Sequence, residues 1–326
     1  MTEHHPAQPP KQRTAYLGCV PHVPFMVLQD REHNRPFWDA YMAQAEALTA
    51  FDPELVIIFG SDHYSGQHMR MMPSFAIGMA AEAVADDGGF PGKLDVASDT
   101  AFACAQFVIE AGVDVATSHA MEVDHGFSAP LTHYLGAVDA KPVVPVFVNA
   151  LCEPRPTFRR CRMLGEAVGK FAAGLGKRVA ILGTGGLSHE TGDVFPQLRE
   201  VSDPVTRDYL LHGGERGELS RESWLGGLHE GLQVVNGLLL DRVPGVGNIQ
   251  TCWDDEFLRL FAAGDMTVFD SWTDADVERD GGNGAGEVRM WIAAAAAAQA
   301  VGIGPITVDF YQQGLPMGVA SVVVHG

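Results

Sequence analysis

Three short runs constrain this chain more than anything else in it: Leu55–Gly60 (LVIIFG), Val143–Val148 (VVPVFV) and residues 178–183 (RVAILG). A strand with one wet face alternates apolar and polar side chains, so nearly unbroken apolar runs this short imply cover on both faces. Between them lie stretches with helical spacing. Residues 36–51 place Phe37, Tyr41, Ala45 and Leu48 on one stripe, with Pro36 where a first helical turn tolerates it. Residues 98–112 and 158–175 read as two more helices, and residues 14–20 (TAYLGCV) as a strand that stops at Pro21. This alternation predicts an α/β domain whose central sheet, mostly parallel or mixed, is flanked by helices.

From about Val194 helical patterns dominate, including residues 253–263 and a run over 287–301 that holds six consecutive alanines. A helical elaboration is therefore expected in the C-terminal third, with residues 319–324 (VASVVV) returning as a last strand to the same sheet. A chain of 326 residues admits two domains at about 150 residues each. No repeat and no Pro/Ser linker divides it, so a single catalytic domain over 14–326 is expected, after a flexible polar tail at 1–13.

Charge narrows the partners. The chain carries 22 basic and 41 acidic residues, a formal net charge of −19. Such a surface repels phosphate backbones and anionic headgroups, and the densest basic stretch is only Arg159-Arg160-Cys161-Arg162. Neither nucleic acid nor a membrane is expected as a partner. The five cysteines are odd in number and contain no CxxC pair, which argues against a disulfide framework or a structural zinc cluster. With no apolar span and no basic-then-apolar leader, a reducing cytoplasm is the expected location.

Ligand sites in parallel α/β sheets gather outside the carboxyl ends of the strands. His22 (VPHVP), His63 (FGSDHYSG) and His189 (GTGGLSHE) each follow a strand in this way. Any one of them is as well explained as a hydrogen-bonded structural histidine; three together point to a site. His125 follows Asp124 in MEVDHGFSAP, ahead of a helix expected to start at Pro130. Asp124 reads either as a turn or capping residue or as a carboxylate that tunes the histidine, and Asp62 beside His63 poses the same choice. The glycines of GTGGLS fit a tight turn aiming Ser188 and His189 into the crevice better than a phosphate loop, because the Lys-Ser/Thr ending is absent. No GxSxG elbow supports a serine hydrolase. Two imidazoles and a carboxylate on one face of a metal would suit non-haem Fe(II). His22 and His63 supply the imidazoles, and Glu287 is a candidate carboxylate, although a glutamate in a first helical turn is also explained by the helix dipole.

Taken in order, CVPHVP (19–24), FDPELVIIFGSDHYSG (51–66), VDHGFSAPL (123–131), RMLGEAVGKF (162–171), LGTGGLSH (182–189) and CWDDEF (252–257) resemble the class III extradiol ring-cleavage dioxygenases. The resemblance runs from about Thr14 to about Val301. It implies His22, His63 and Glu287 as ligands of an Fe(II) cofactor, and His125 with His189 as paired acid/base residues. Asp124 would orient or tune His125. It further implies catechol and dioxygen as substrates, a muconic semialdehyde-type product and assembly as a homo-oligomer. Residues 190–246 and 304–326 depart from the family pattern, which leaves the ring substituent and the residue that would bind a substrate carboxylate unassigned. Two other classes fit the same scaffold: a zinc hydrolase, and a non-catalytic interaction or structural protein.

Overall fold

The computed structural model describes residues 14–191 and 194–326; the tail expected at 1–13 lies outside the described residues. Strand β1 (Ala15–Val20) is followed by helix α1 (Arg35–Phe51), β2 (Leu55–Gly60), β3 (Phe75–Gly78), α2 (Ser98–Glu110) and β4 (Ala116–Ser118). Next come α3 (His125–Leu135), β5 (Val143–Val148), α4 (Phe158–Ala173) and β6 (Val179–Thr184). The C-terminal part holds α5 (Arg221–Leu240), α6 (Thr251–Ala263), α7 (Val288–Val301), β7 (Thr307–Gln312) and β8 (Ser321–His325).

The eight strands form one sheet in the order β7-β8-β1-β6-β2-β5-β3-β4. Its centre is parallel: β1 pairs β6, β6 pairs β2, and β2 pairs β5. Both flanks turn antiparallel, at β3 against β5 and at β8 against β1. The sheet is therefore mixed, and the expected last strand does return to it. A small separate sheet joins Ala81–Ala83, Gly92–Lys93 and Met121–Val123.

The period of two in each strand divides the core between the two faces. Leu17, Cys19, Leu55, Ile57 and Phe59 point to one face, where α4 and α7 pack. Tyr16, Val20, Val56 and Ile58 point to the other, under α1 and α3. The six alanines Ala293–Ala298 are all buried because α7 is held between the sheet and α4. That contact needs small residues on both sides: a Cβ added at Gly165 would lie 2.0 Å from the Ala293 carbonyl oxygen, and one at Gly169 2.2 Å from that of Ala297. Close backbone approach here fixes the first residue before α7, Glu287, against the sheet. Among the described residues no helix is long and apolar enough to cross a membrane.

One expected boundary is wrong. The helix foreseen at Pro130 begins at His125, with Asp124 as its N-cap and Pro130 inside it. The short Asp124 carboxylate accepts the Gly126 N–H at 2.8 Å and so starts the helix five residues earlier.

Candidate active site

Three adjacent parallel strands, β1, β6 and β2, deliver His22, His189 and His63 to the same end of the sheet. His22 and His63 meet edge to face with centroids 5.1 Å apart, and His63 stacks on His125 at 4.2 Å. Glu287 arrives from the opposite side of the turn after β6. Its Oε2 accepts the Gly186 N–H at 2.6 Å, which aims Oε1 at both imidazoles. Oε1 lies 3.3 Å from His22 Nε2 and 3.1 Å from His63 Nε2. The turn itself needs glycine: Gly185 has φ +126°, and a Cβ there would fall 2.8 Å from Glu287 Cβ. The Trp291 indole N–H holds the Gly185 carbonyl at 3.0 Å. Glu287 is buried, and its carboxylate is committed to the site rather than to the amides of α7.

The tautomers follow from the partners. The Thr184 hydroxyl donates to the Gly126 carbonyl at 2.8 Å, so toward His22 Nδ1, 3.1 Å away, it can only accept. His22 therefore carries its proton on Nδ1. Asp124 Oδ2 accepts from His63 Nδ1–H at 2.9 Å and from the His63 backbone N–H at 2.5 Å. In their neutral forms both rings turn an Nε2 lone pair toward a carboxylate oxygen. Three electron-pair donors facing one another need a cation between them. Neighbouring ligands on an octahedral ion with bonds of about 2.1 Å lie about 3 Å apart, which matches the two separations. These residues fit a divalent metal on one face, with the other positions open.

The electrostatics agree. Burial opposes charge on His63, yet Asp124 and Glu287 raise its pKa well above the ordinary histidine value. Burial likewise opposes the Glu287 carboxylate, but His22 and His63 hold its pKa well below the usual range. Burial, only partly offset by Glu287, lowers His22. His125 also brings an imidazole nitrogen within 4.8 Å of those of His22 and His63. Glu287 is the better third ligand because its Oε1 touches both Nε2 atoms, whereas Asp86 anchors His125 through Nδ1.

That anchor is a residue the sequence reading passed over. Asp86 Oδ2 accepts from His125 Nδ1–H at 2.5 Å. The carboxylate expected to serve His125, Asp124, lies within 4.8 Å of that ring but gives its hydrogen bonds to His63 and Gly126. Asp86 lies in a loop between two strands of the small sheet, with no motif around it. Only its acidic pair with Asp87, near the Gly-rich DDGG turn, marks it in sequence. His189 donates Nδ1–H to the Leu187 carbonyl at 2.9 Å. Ser188 does not enter the crevice: its hydroxyl and N–H are both held by Asp254, at 2.8 and 2.9 Å. Asp62 accepts the Gly66 and Gln67 N–H groups at 2.9 Å each and so shapes the loop after β2. His133, also on α3, packs against Trp38 and Tyr41 of α1 and against Phe90, away from the cluster.

All five proposed residues, His22, His63, His125, His189 and Glu287, line one cleft of about 970 Å³ including its mouth. Its floor is the cluster of His22, His63 and Glu287, and its outer wall is the apolar side of α5. A catechol binding site needs this combination: a cation to take two oxygens, neutral imidazoles to exchange protons, and an apolar wall for the ring.

Residues 16–322 match the family model described as the catalytic LigB subunit of aromatic ring-opening dioxygenase, and the chain belongs to that family. It is an extradiol dioxygenase, which opens a catechol ring beside the diol. Among curated relatives, it is similar to a 2,3-dihydroxyphenylpropionate/2,3-dihydroxicinnamic acid 1,2-dioxygenase of Pseudomonas putida, 40% identical over 89% of this chain and 91% of the relative. A protein of the same name from Mycobacterium sp. (strain MCS) is 37% identical over 91% of this chain and 93% of its own length. One from Cupriavidus pinatubonensis is 39% identical over the same shares.

Proposed function

We propose that the protein cleaves a substituted catechol with dioxygen in an Fe(II)-dependent reaction, giving a muconic semialdehyde-type product. The ring pattern is that of 2,3-dihydroxyphenylpropionate, the compound in the relatives' names. The observation that carries the reading is the convergence of His22 Nε2, His63 Nε2 and Glu287 Oε1, all lone pairs, beside two imidazoles that touch no metal-ligand carboxylate. A facial set of two imidazoles and one carboxylate is the donor set of non-haem Fe(II) oxygenases. Bound there, Fe(II) supplies a centre where catechol and dioxygen are held together and exchange electrons.

The remaining roles belong to side chains. Asp124 and Thr184 fix the ligand rings by their Nδ1–H bonds, which keeps both Nε2 atoms free. His125 presents a proton-free Nε2 to the cleft while Asp86 accepts at Nδ1, so a proton taken from a catechol hydroxyl leaves a positive ring facing a carboxylate. His189 has a neutral carbonyl at Nδ1 where His125 has a carboxylate. Removal of a hydroxyl proton therefore falls to His125, and later donation to the opening ring falls to His189. Phe195, with its ring centroid 5.3 Å from that of His63, covers the site and helps to exclude water.

Five free cysteines, four of them buried, fit a cytoplasmic location. Exposed Val27 and Val234, on two helices that pack together, fit assembly of a homo-oligomer. The deciding experiment is anaerobic loading with Fe(II), then a panel of substituted catechols in oxygenated buffer. The expected result is one dioxygen consumed per catechol and a yellow ring-fission product. Zinc retained by the purified protein, with no oxygen uptake after iron loading, would return the reading to a hydrolase.

A further inference from the structure

The ring-cleaving site says nothing about what hangs from the ring, and the outer half of the cleft addresses that question. Helix α5 sends Leu225, Leu228, Leu232 and Val235 into it. These positions are three, four and three residues apart, one continuous stripe of the helix. Phe25 and Phe195 close the remaining sides. The charged lining is all of one sign. Asp86, Asp87, Glu190 and Glu287 are carboxylates, and among the described residues no lysine or arginine lines the cleft. His229 on α5 stands nearby, but Asp87 already holds its Nδ1 at 2.7 Å. Arg221, at the start of α5, is engaged by both oxygens of Glu122, at 2.8 and 2.7 Å.

We infer that this cleft selects catechols whose substituent is uncharged and apolar, an alkyl or aryl group, over those whose side chain ends in a carboxylate. The inference rests on the ring-cleavage reading and deepens it. A carboxylate moved into this wall would lose its water without gaining a cation, and would face carboxylates across the cleft. The whole molecule adds to the penalty, because a formal charge of −19 opposes the approach of an anion. An apolar substituent faces neither cost and gains the burial of its own surface against the leucine stripe. The relatives named for an acid substrate would then differ from this chain in the outer cleft, while the metal site stays common to them.

The Fe(II)-loaded full-length enzyme tests this with two near-isosteric probes, 3-propylcatechol and 2,3-dihydroxyphenylpropionate. Initial rates are paired with anaerobic calorimetric binding of each probe. The expected kcat/KM is at least about tenfold higher for the propyl compound, with the same ordering in Kd. Raising ionic strength should lift kcat/KM for the propionate and leave the propyl compound nearly flat, since salt screens only the charged encounter. Leu228→Arg should move the ratio toward the propionate by roughly tenfold. A propionate turned over as well as or better than its propyl analogue would overturn the inference and leave the ring-cleavage reading standing. No ring-fission product from either probe would overturn both.

Discussion

The two ends of the cleft are built differently. At the sheet end every functional side chain is buried and tied down: His22 by Thr184, His63 by Asp124, Glu287 by Gly186, His125 by Asp86. At the outer end a single helix, α5, carries the wall. Its glycines Gly226, Gly227, Gly231 and Gly237 have nothing within 4 Å of where a Cβ would stand, and Val234 is 65% exposed. The difference separates two requirements. Redox and proton chemistry need atoms held within a fraction of an ångström, whereas substituent choice needs only a surface of the right polarity. A rigid sheet edge can therefore be kept while a lightly packed helix varies.

If that division is right, the largest effects come from the sheet end. Glu287→Ala should leave the purified protein with background iron and lower kcat/KM by at least roughly a thousandfold, because the cation would then lose its only anionic donor of the three. Retained iron with normal turnover would remove Glu287 from the ligand set. Asp86→Asn keeps an acceptor at His125 Nδ1 but removes the charge that balances a protonated ring. Its kcat should fall by about a hundredfold with iron content unchanged, a split that a ligand or a purely structural residue would not give. Asp124→Asn acts one step from the metal through His63, so iron affinity should weaken by about 10–100-fold, measured by competition with a chelator.

The outer wall should answer on a smaller scale. Leu232→Ala removes part of the stripe on α5. The expected result is a KM higher by about fivefold for an alkyl catechol, with kcat and iron content unchanged. A fall in iron content instead would mean that α5 supports the metal site and that the two ends are not independent.

How much of this was legible in the sequence follows the same division. The strands β2, β5 and β6 were legible because burial on both faces leaves almost no polar residue in the run. His22, His63 and His189 were legible because a strand end restricts where a side chain can point. Asp86 and α5 were not. Asp86 reaches His125 across 39 positions of chain, and nothing local demands an acid in that loop. Asp124 was seen beside His125, and its carboxylate does lie within 4.8 Å of that ring; what adjacency in sequence did not show is that its second oxygen also accepts from His63 while the first caps the helix. The stripe of α5 is diluted by four glycines and by polar residues on the exposed side, so its apolar face does not stand out without the cleft beside it.

The effect that reaches stability rather than turnover comes from an anchor between the two ends. Asp254 on α6 is buried and accepts from the Ser188 N–H, the Ser188 hydroxyl and the Tyr311 hydroxyl, so it holds the turn that carries His189. Burial pushes its pKa up to about 6, against hydrogen bonds that favour the carboxylate. The folded protein therefore binds this proton more tightly than the unfolded chain does. The stability it contributes is fully present below the unfolded value of 3.8, is lost as pH rises through about 6, and does not change further above that. The loss is on the order of 1–3 kcal/mol. Asp254→Asn cannot ionise and should lack that fall. It also loses one acceptor, a pH-independent cost of about 1 kcal/mol relative to the protonated wild type. The measurement is thus the difference between the two urea-unfolding curves across pH 4 to 7, not the height of either. A wild-type advantage that falls as pH rises, to zero or to the variant's favour, supports the assignment; parallel curves would mean that Asp254 ionises in the folded protein as easily as in the unfolded one, and that the His189 turn is held by an ordinary carboxylate.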